Sequence, residues 1–330
     1  MKHFVTLATT LTLALLSLLA GALPGWAGEF VYDLHPMMVA KDTYVLLGDT
    51  HFFNPDNGGN IANTGFIVTT SGVVVIDTGP SRRYGEAMRA VIAKITPLPV
   101  VKVLITHAHT DHFLGSQAFS EAGVYSGAPT VEMIRAHGQE MAANLYTMLG
   151  AVMSGTEPVV PQLLDRTEDH IGGHDLRYYQ LAGHTESDLV IFDRTTGVLF
   201  TGDLVFFRRA LAVPNANVAQ WEESLRQIEA IPYRKLVPGH GAPCLGPDAI
   251  AETRDYLHWL DQALRQALAD GLDLTEALHL RVPERFRALA IVHEEFQRSV
   301  GQLFPRLESE SLPSLAKAGS EGPNEGGKIP

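Results

Sequence analysis

Within this chain of 330 residues, His107-Ala108-His109-Thr110-Asp111-His112 places four strong metal ligands in one hexapeptide. It follows directly on the apolar run Val101, Val103, Leu104 and Ile105, which reads as a β-strand. A strand that ends in such a cluster hands imidazoles and a carboxylate to one point in space. Imidazole suits zinc, iron or copper, and a carboxylate beside it is typical of hydrolytic zinc sites. Three further candidates stand at the ends of predicted strands: His184 in Gly183-His184-Thr185, Asp203 in Thr201-Gly202-Asp203, and His240 in Pro238-Gly239-His240-Gly241. The neighbouring glycines give these turns the freedom to aim a side chain sideways. One by one, the three read as ordinary turn residues. Together, and in this order after the hexapeptide, they read as a ligand set.

The elements that must position these residues are strands and helices interleaved from Phe30 to about Pro247, with no internal repeat. Tyr44-Val45-Leu46-Leu47, Phe66-Ile67-Val68 and Val73-Val74-Val75-Ile76 read as strands, the last ending at Asp77-Thr78-Gly79. The stretch from Gly48 to Asn63 is longer than a hairpin needs, and long loops in compact domains are often functional covers. Glu86 to Lys94 has helical spacing. Leu189–Phe192 and Val198–Phe200 read as a hairpin, and Leu236-Val237 as a strand running into the His240 turn. Beyond Pro247 the pattern turns helical, over Ile250–Ala269 and again over Glu284–Leu307, which predicts a C-terminal extension (residues 248–312) packed on the same core. Pro313–Pro330 has little to bury and reads as a disordered tail.

The chain opens with Met1-Lys2-His3, runs apolar from Leu11 to Leu23, and closes that run with Gly25-Trp26-Ala27. This reads as a secretory signal cleaved after Ala27, since the apolar run falls short of the ~20 residues that span a bilayer. A periplasmic protein, free of the membrane after cleavage, is the expectation. The single cysteine, Cys244, rules out an intramolecular disulfide. A formal charge of −12, from 25 basic and 37 acidic residues, argues against a nucleic-acid partner and leaves a small-molecule substrate.

Asp77, the hexapeptide, His184, Asp203 and His240 together resemble the five motifs of the metallo-β-lactamase-fold hydrolases. That resemblance implies an α/β fold, a four-layer αββα sandwich over residues 28–247. It also implies a metal site formed by His107, His109 and His184 and a second formed by Asp111, His112 and His240, with Asp203 bridging them. Asp77 would orient the metal-binding loop through hydrogen bonds. Two zinc ions per chain are the expectation, with iron or manganese as the alternative metals; no organic cofactor site is read. Metal-bound hydroxide would attack a polarised carbonyl, and Asp111 would accept a proton as the intermediate breaks down. Asp at position 203 resembles glyoxalase II, lactonases and RNase Z more than the common β-lactamases, which carry Cys or Ser there; the basic surface of RNase Z is missing. A closer resemblance runs through Asn57–Gly65, Ile76–Gly85, Thr201–Phe206 and Arg285–Leu307. It points to the exported quinoprotein relay system zinc metallohydrolases, related to SoxH-type proteins and associated with periplasmic PQQ-dependent dehydrogenases.

The expected activity is therefore cleavage of an ester, lactone, thioester or amide. Hydrolysis of β-lactams is one alternative, and a non-catalytic accessory that binds metal and a quinone is another. Phe52 and Phe53 in the long loop are candidates to close over an apolar substrate, and Arg208 or Arg209 to bind a substrate carboxylate. His170 and His174, flanking Gly172-Gly173, read as hairpin-turn residues, and His258, His279 and His293 carry no metal spacing. Cys244 has no organised base beside it. Glu186-Ser187 depart from the subgroup's pattern after His184-Thr185 and shape the loop beside the site.

Overall fold

Alternation along the central strands decides the architecture. The computed structural model describes residues 30–311, so the expected leader (1–27) and tail (313–330) lie outside the described residues. Among the described residues twelve strands form two sheets. The first holds β1 (Pro36–Ala40), β2 (Thr43–Leu46), β3 (Thr64–Thr69), β4 (Gly72–Ile76), β5 (Val100–Leu104), β6 (Gly123–Ser126) and β7 (Gln162–Leu163), in sequence order. It is antiparallel as far as β4 and parallel from β4 to β7. The second holds β8 (Glu168–Ile171), β9 (His174–Leu181), β10 (Asp188–Asp193), β11 (Val198–Phe200) and β12 (Lys235–Val237), in the order β12-β11-β10-β9-β8. Only its β11–β12 pair is parallel.

Successive side chains on a strand point to opposite faces. Leu189 and Ile191 of β10, Val198 and Phe200 of β11, and Val237 of β12 meet Val45, Ile67, Val74, Ile76 and Leu104 of the first sheet in one apolar layer. Val190, Phe192, Leu199 and Leu236 turn the other way, into a cluster built with helices. The sheets are thus covered on both faces, the αββα layering expected from the sequence.

Among the described residues the helices are α1 (Arg82–Ile95), α2 (Thr110–Phe113), α3 (Ala128–Leu149), α4 (Val218–Glu229), α5 (Asp248–Ala269), α6 (Leu274–Ala277) and α7 (Val292–Ser311). Ser81 caps α1, its Oγ accepting the Tyr84 N–H at 3.2 Å, and the Tyr84 hydroxyl lies 2.9 Å from Thr64 Oγ1 on the first sheet. Gly85 lets α1 approach the turn that follows the histidine cluster; a Cβ there would lie 2.3 Å from the Gly115 carbonyl oxygen. On the other side α4, α5 and α7 bury Trp221, Leu225, Tyr256, Leu260, Phe296 and Phe304 against the second sheet. The C-terminal helices therefore share one core with the sandwich. Among the described residues no helix is long and apolar enough to cross a membrane.

The expected helix over Glu284–Leu307 is corrected by the structure. A 3-10 turn spans Glu284–Phe286, the chain breaks, and α7 begins only at Val292. The cause is tertiary: the Ala290 N–H donates to the Arg208 carbonyl at 3.0 Å, and the Ala290 carbonyl accepts from Ala210 at 3.2 Å. A backbone spent on that bridge cannot continue a helical ladder.

Candidate metal centre

β5 ends at Leu104, and the chain then delivers Thr106 and His107 to the sheet edge before turning into α2. Asp77, at the end of the neighbouring β4, fixes this segment. Its Oδ1 accepts the Thr106 N–H at 2.8 Å, and its Oδ2 accepts the Thr106 hydroxyl and His112 Nδ1, each at 2.8 Å. With Nδ1 protonated, His112 turns its Nε2 towards the cluster. Thr106 Oγ1 lies 3.0 Å from His107 Nδ1, which leaves His107 Nε2 free. His109 is held the other way round: its Nε2 donates to Asn215 Oδ1 at 3.0 Å, so Nδ1 faces inward.

The second sheet supplies the remaining groups. His184 stands in the β9–β10 connection, braced by Asp188, which accepts from the backbone N–H and hydroxyl of Thr185 at 2.9 and 2.8 Å. Burial pushes the Asp188 carboxyl up to about 7. Asp203 follows β11 on a 3-10 turn whose Leu204 carbonyl accepts the indole N–H of Trp221 at 2.9 Å. His240 follows β12, and its Nδ1 donates to the Ile61 carbonyl at 2.7 Å. Of the glycines here, Gly202 takes φ 51° before Asp203, whereas Gly239 is needed for space: a Cβ on it would lie 1.9 Å from Asp203 Oδ1.

These residues converge as two groups whose ligand atoms lie within 4.8 Å of one another: His107, His109, His184 and Asp203, and beside them Asp111, His112 and His240. Asp203 reaches both, with Oδ2 3.3 Å from His184 Nε2 and 3.2 Å from His240 Nε2, and Oδ1 3.1 Å from His112 Nε2. Asp111 Oδ2 lies 3.4 Å from His240 Nε2. His184 Nε2 and His109 Nδ1 approach to 2.9 Å. Since the outer nitrogens of His109 and His112 donate elsewhere, lone pairs face lone pairs inside the cluster. His107 Nε2, His112 Nε2 and Asp203 Oδ1 are buried with no hydrogen-bond partner. Buried groups of this kind call for cations. The donor set of five imidazoles and two carboxylates suits borderline divalent ions such as zinc.

The electrostatics agree. Burial holds the imidazoles of His107 and His184 well below their ordinary value, so both are neutral ligands. Burial also opposes charge on Asp203, but His240 and His112 outweigh it and keep the carboxyl well below the usual range. At His112, burial is outweighed by Asp203, Asp111 and Asp77, which raise its affinity for positive charge.

Every sequence-predicted ligand thus lies in the cluster, and Asp77 lies behind it. His170 and His174 pair with Asp175 and Asp193 at the β8–β9 hairpin, away from it. Burial pushes the Cys244 thiol up, which leaves it a poor nucleophile. A cavity of about 190 Å³ opens in front of Asp111, Asp203 and His240, walled by Phe52 and Phe53 of the long loop and by Arg209. Arg208 instead faces Glu252 on α5. A smaller recess of about 120 Å³ beside His109 is lined by Met133, Met141 and the Glu186-Ser187 pair. Sequence reasoning missed Asn63, whose Nδ2 donates to the Pro238 and Gly241 carbonyls at 2.8 and 2.6 Å. It also missed Asn215 at His109, and Glu295 and Arg298, which reach the cavity from α7. Asn63, Glu295 and Arg298 lie within stretches that carry the closer resemblance, but no local spacing marks their contacts, and Asn215 lies outside those stretches.

A family model described as the metallo-beta-lactamase superfamily matches residues 57–240. The metallo-beta-lactamase type 2 of Bacillus sp. (strain 170) is 29% identical over 193 residues, 56% of this chain and 69% of that protein. The acyl-coenzyme A thioesterase MBLAC2 of Gallus gallus is 27% identical over 204 residues, 55% of this chain and 73% of that protein. Among solved structures, a double mutant of the sec-alkyl sulfatase PisA1 superposes with a TM-score of 0.63 at 20% identity, over 82% of this chain and 50% of the other. The chain belongs to the metallo-β-lactamase superfamily.

Proposed function

We propose that this metallohydrolase is an exported, dinuclear zinc enzyme that cleaves an ester, lactone, thioester or amide bond. The observation that carries the reading is the double ligand group, in which Asp203 stands within reach of both sets of imidazoles. His107, His109 and His184 would hold one ion, Asp111, His112 and His240 the other, and Asp203 would bridge. When bound, the ions supply Lewis acidity towards a carbonyl oxygen and lower the pKa of water towards about 7. The chain's own part is preorganisation. Asp77 and Thr106 fix the orientation of His112 and His107, Asn215 that of His109, and the Ile61 carbonyl that of His240. Asp111 lines the cavity and would take up a proton as the intermediate breaks down. Phe52 and Phe53 line the same cavity and would offer an apolar wall to the substrate.

The closer resemblance to the quinoprotein relay system metallohydrolases supports a periplasmic setting and a functional link to a PQQ-dependent dehydrogenase. The thioesterase and β-lactamase relatives support an acyl bond, of an ester, lactone, thioester or amide, as the one cleaved. Plasma mass spectrometry on protein purified without added metal tests the centre. About two zinc per chain, falling in Asp203→Ala, is expected. One iron per chain overturns the dinuclear zinc reading. Turnover of an aryl ester or lactone panel in preference to nitrocefin is expected, and the reverse preference would make the enzyme a β-lactamase.

A further inference from the structure

The cavity in front of the metal cluster is also lined by charged side chains that the ligand set does not use. Arg209 is 3% exposed and lines the cavity together with Asp111, Asp203 and His240. Its Nε donates to the Thr50 carbonyl at 3.1 Å, but its Nη1 is buried with no hydrogen-bond partner. Beside it on the same wall stand Glu295, 1% exposed, and Arg298, both from α7. Glu295 Oε1 also lacks a hydrogen-bond partner and lies 3.7 Å from Arg298 Nε. A buried guanidinium N–H without an acceptor is costly, and a guanidinium is built to receive a carboxylate.

The chain holds this wall against local strain. Arg208 has φ 61° and Ile291 φ 52°, on either side of the bridge between Arg209 and Ala290. A β-branched residue at positive φ is an outlier that tertiary contacts must enforce. The bridge ties the segment that precedes α7 to the segment that carries Arg209. Within this group two guanidiniums face one carboxylate, and the other carboxylates on the cavity, Asp111 and Asp203, belong to the metal cluster. Burial, working against Arg209 and Arg298, pushes the Glu295 carboxyl up to about 7 and weakens its compensation further.

We infer that Arg209, framed by Glu295 and Arg298, receives a carboxylate carried by the substrate, so that the preferred substrate is an acidic ester, thioester or lactone. The inference rests on the hydrolytic reading of the cluster. Phe52, Phe53 and Pro214 on the same cavity offer apolar contact to the stem between the carboxylate and the scissile carbonyl. Glu295 sets the limit on charge, since a dianionic group would face it.

The test compares zinc-loaded protein on mono-4-nitrophenyl glutarate and on the methyl ester of its free acid. The wild type should favour the acid in kcat/KM by about tenfold or more, mainly through KM. Arg209→Met should bring the ratio close to one, and Arg298→Gln should lower it by about threefold. Glu295→Gln should raise it, because it removes the competing charge and keeps the shape. A wild type indifferent to the carboxylate, or ratios that stay the same in all three variants, would overturn the inference. Should Arg209→Met fail to fold, the opposite shifts expected of Arg298→Gln and Glu295→Gln still decide it. If neither ester is hydrolysed, the hydrolytic reading fails separately, and calorimetric titration with glutarate becomes the readout. An affinity about tenfold weaker in Arg209→Met then supports carboxylate recognition, and equal affinity refutes it.

Discussion

Asp77 Oδ2 accepts the Nδ1 proton of His112 at 2.8 Å, from a backbone held at φ 55°. The same carboxylate takes two more hydrogen bonds from Thr106, so it sets both the tautomer of His112 and the path of the loop that carries His107. Asparagine can accept on only one of its two atoms, and one of these donors would then face an N–H₂. Asp77→Asn should weaken zinc binding by about 10–100-fold with the fold intact. Competition against a chromophoric chelator measures it, and an unchanged affinity would count against the role given to Asp77.

The packing of Gly239 against Asp203 makes a second, sharper case. A Cβ on Gly239 would lie 1.9 Å from Asp203 Oδ1 and 2.8 Å from the Asp203 backbone nitrogen. Gly239→Ala should therefore displace the carboxylate and lower metal content as far as Asp203→Ala does. Overpacking costs about 1–3 kcal/mol, so circular dichroism should still report a folded chain.

Asn63 ties the long loop to the His240 turn through the Pro238 and Gly241 carbonyls, and its own N–H donates to the Gly239 carbonyl at 2.7 Å. Asn63→Ala keeps the backbone bond and loses the side-chain pair, leaving two buried carbonyls without those donors. A loss of about 1–3 kcal/mol in urea unfolding is expected. KM should rise as well, because Phe52 and Phe53 sit on the loop that is loosened.

Glu295 gives stability a pH dependence of known sign. Its carboxyl is raised from 4.5 to about 7, so between those values the native state keeps a proton that the unfolded chain has released. The contribution is fully present below pH 4.5 and is lost as pH rises through about 7. Glu295→Gln should match the wild type near pH 5 and exceed it at pH 8, by on the order of 3 kcal/mol at most. Thermal melts of both proteins at a fixed zinc concentration check this. A gap that narrows with rising pH would contradict the assignment.

The parts of this molecule that could be read in advance share one property: the signal is local. His107 to His112, His184, Asp203 and His240 each follow an apolar run and most sit beside a glycine, so strand end, turn and ligand appear together in a few residues. α3 escaped because its 22 residues bury only a thin stripe, Val131, Ile134, Gly138, Ala142, Leu145 and Leu149, with little contrast around it. The break before α7 escaped because nothing between Phe286 and Val292 signals it; only pairing with Arg208–Ala210 does. Asn63, Asn215, Glu295 and Arg298 act across long stretches of chain, where sequence spacing says nothing about distance.

The ligand turns hang from both sheets: the hexapeptide from the end of β5 in the first, and His184, Asp203 and His240 from the second. The centre therefore lies across the seam of the sandwich, and an ion bound there works as a clasp as well as a catalyst. Without it, the buried donor atoms gathered from the two sheets lack the charge that would hold them together. Limited proteolysis of metal-stripped against metal-loaded protein should then cut first at the seam.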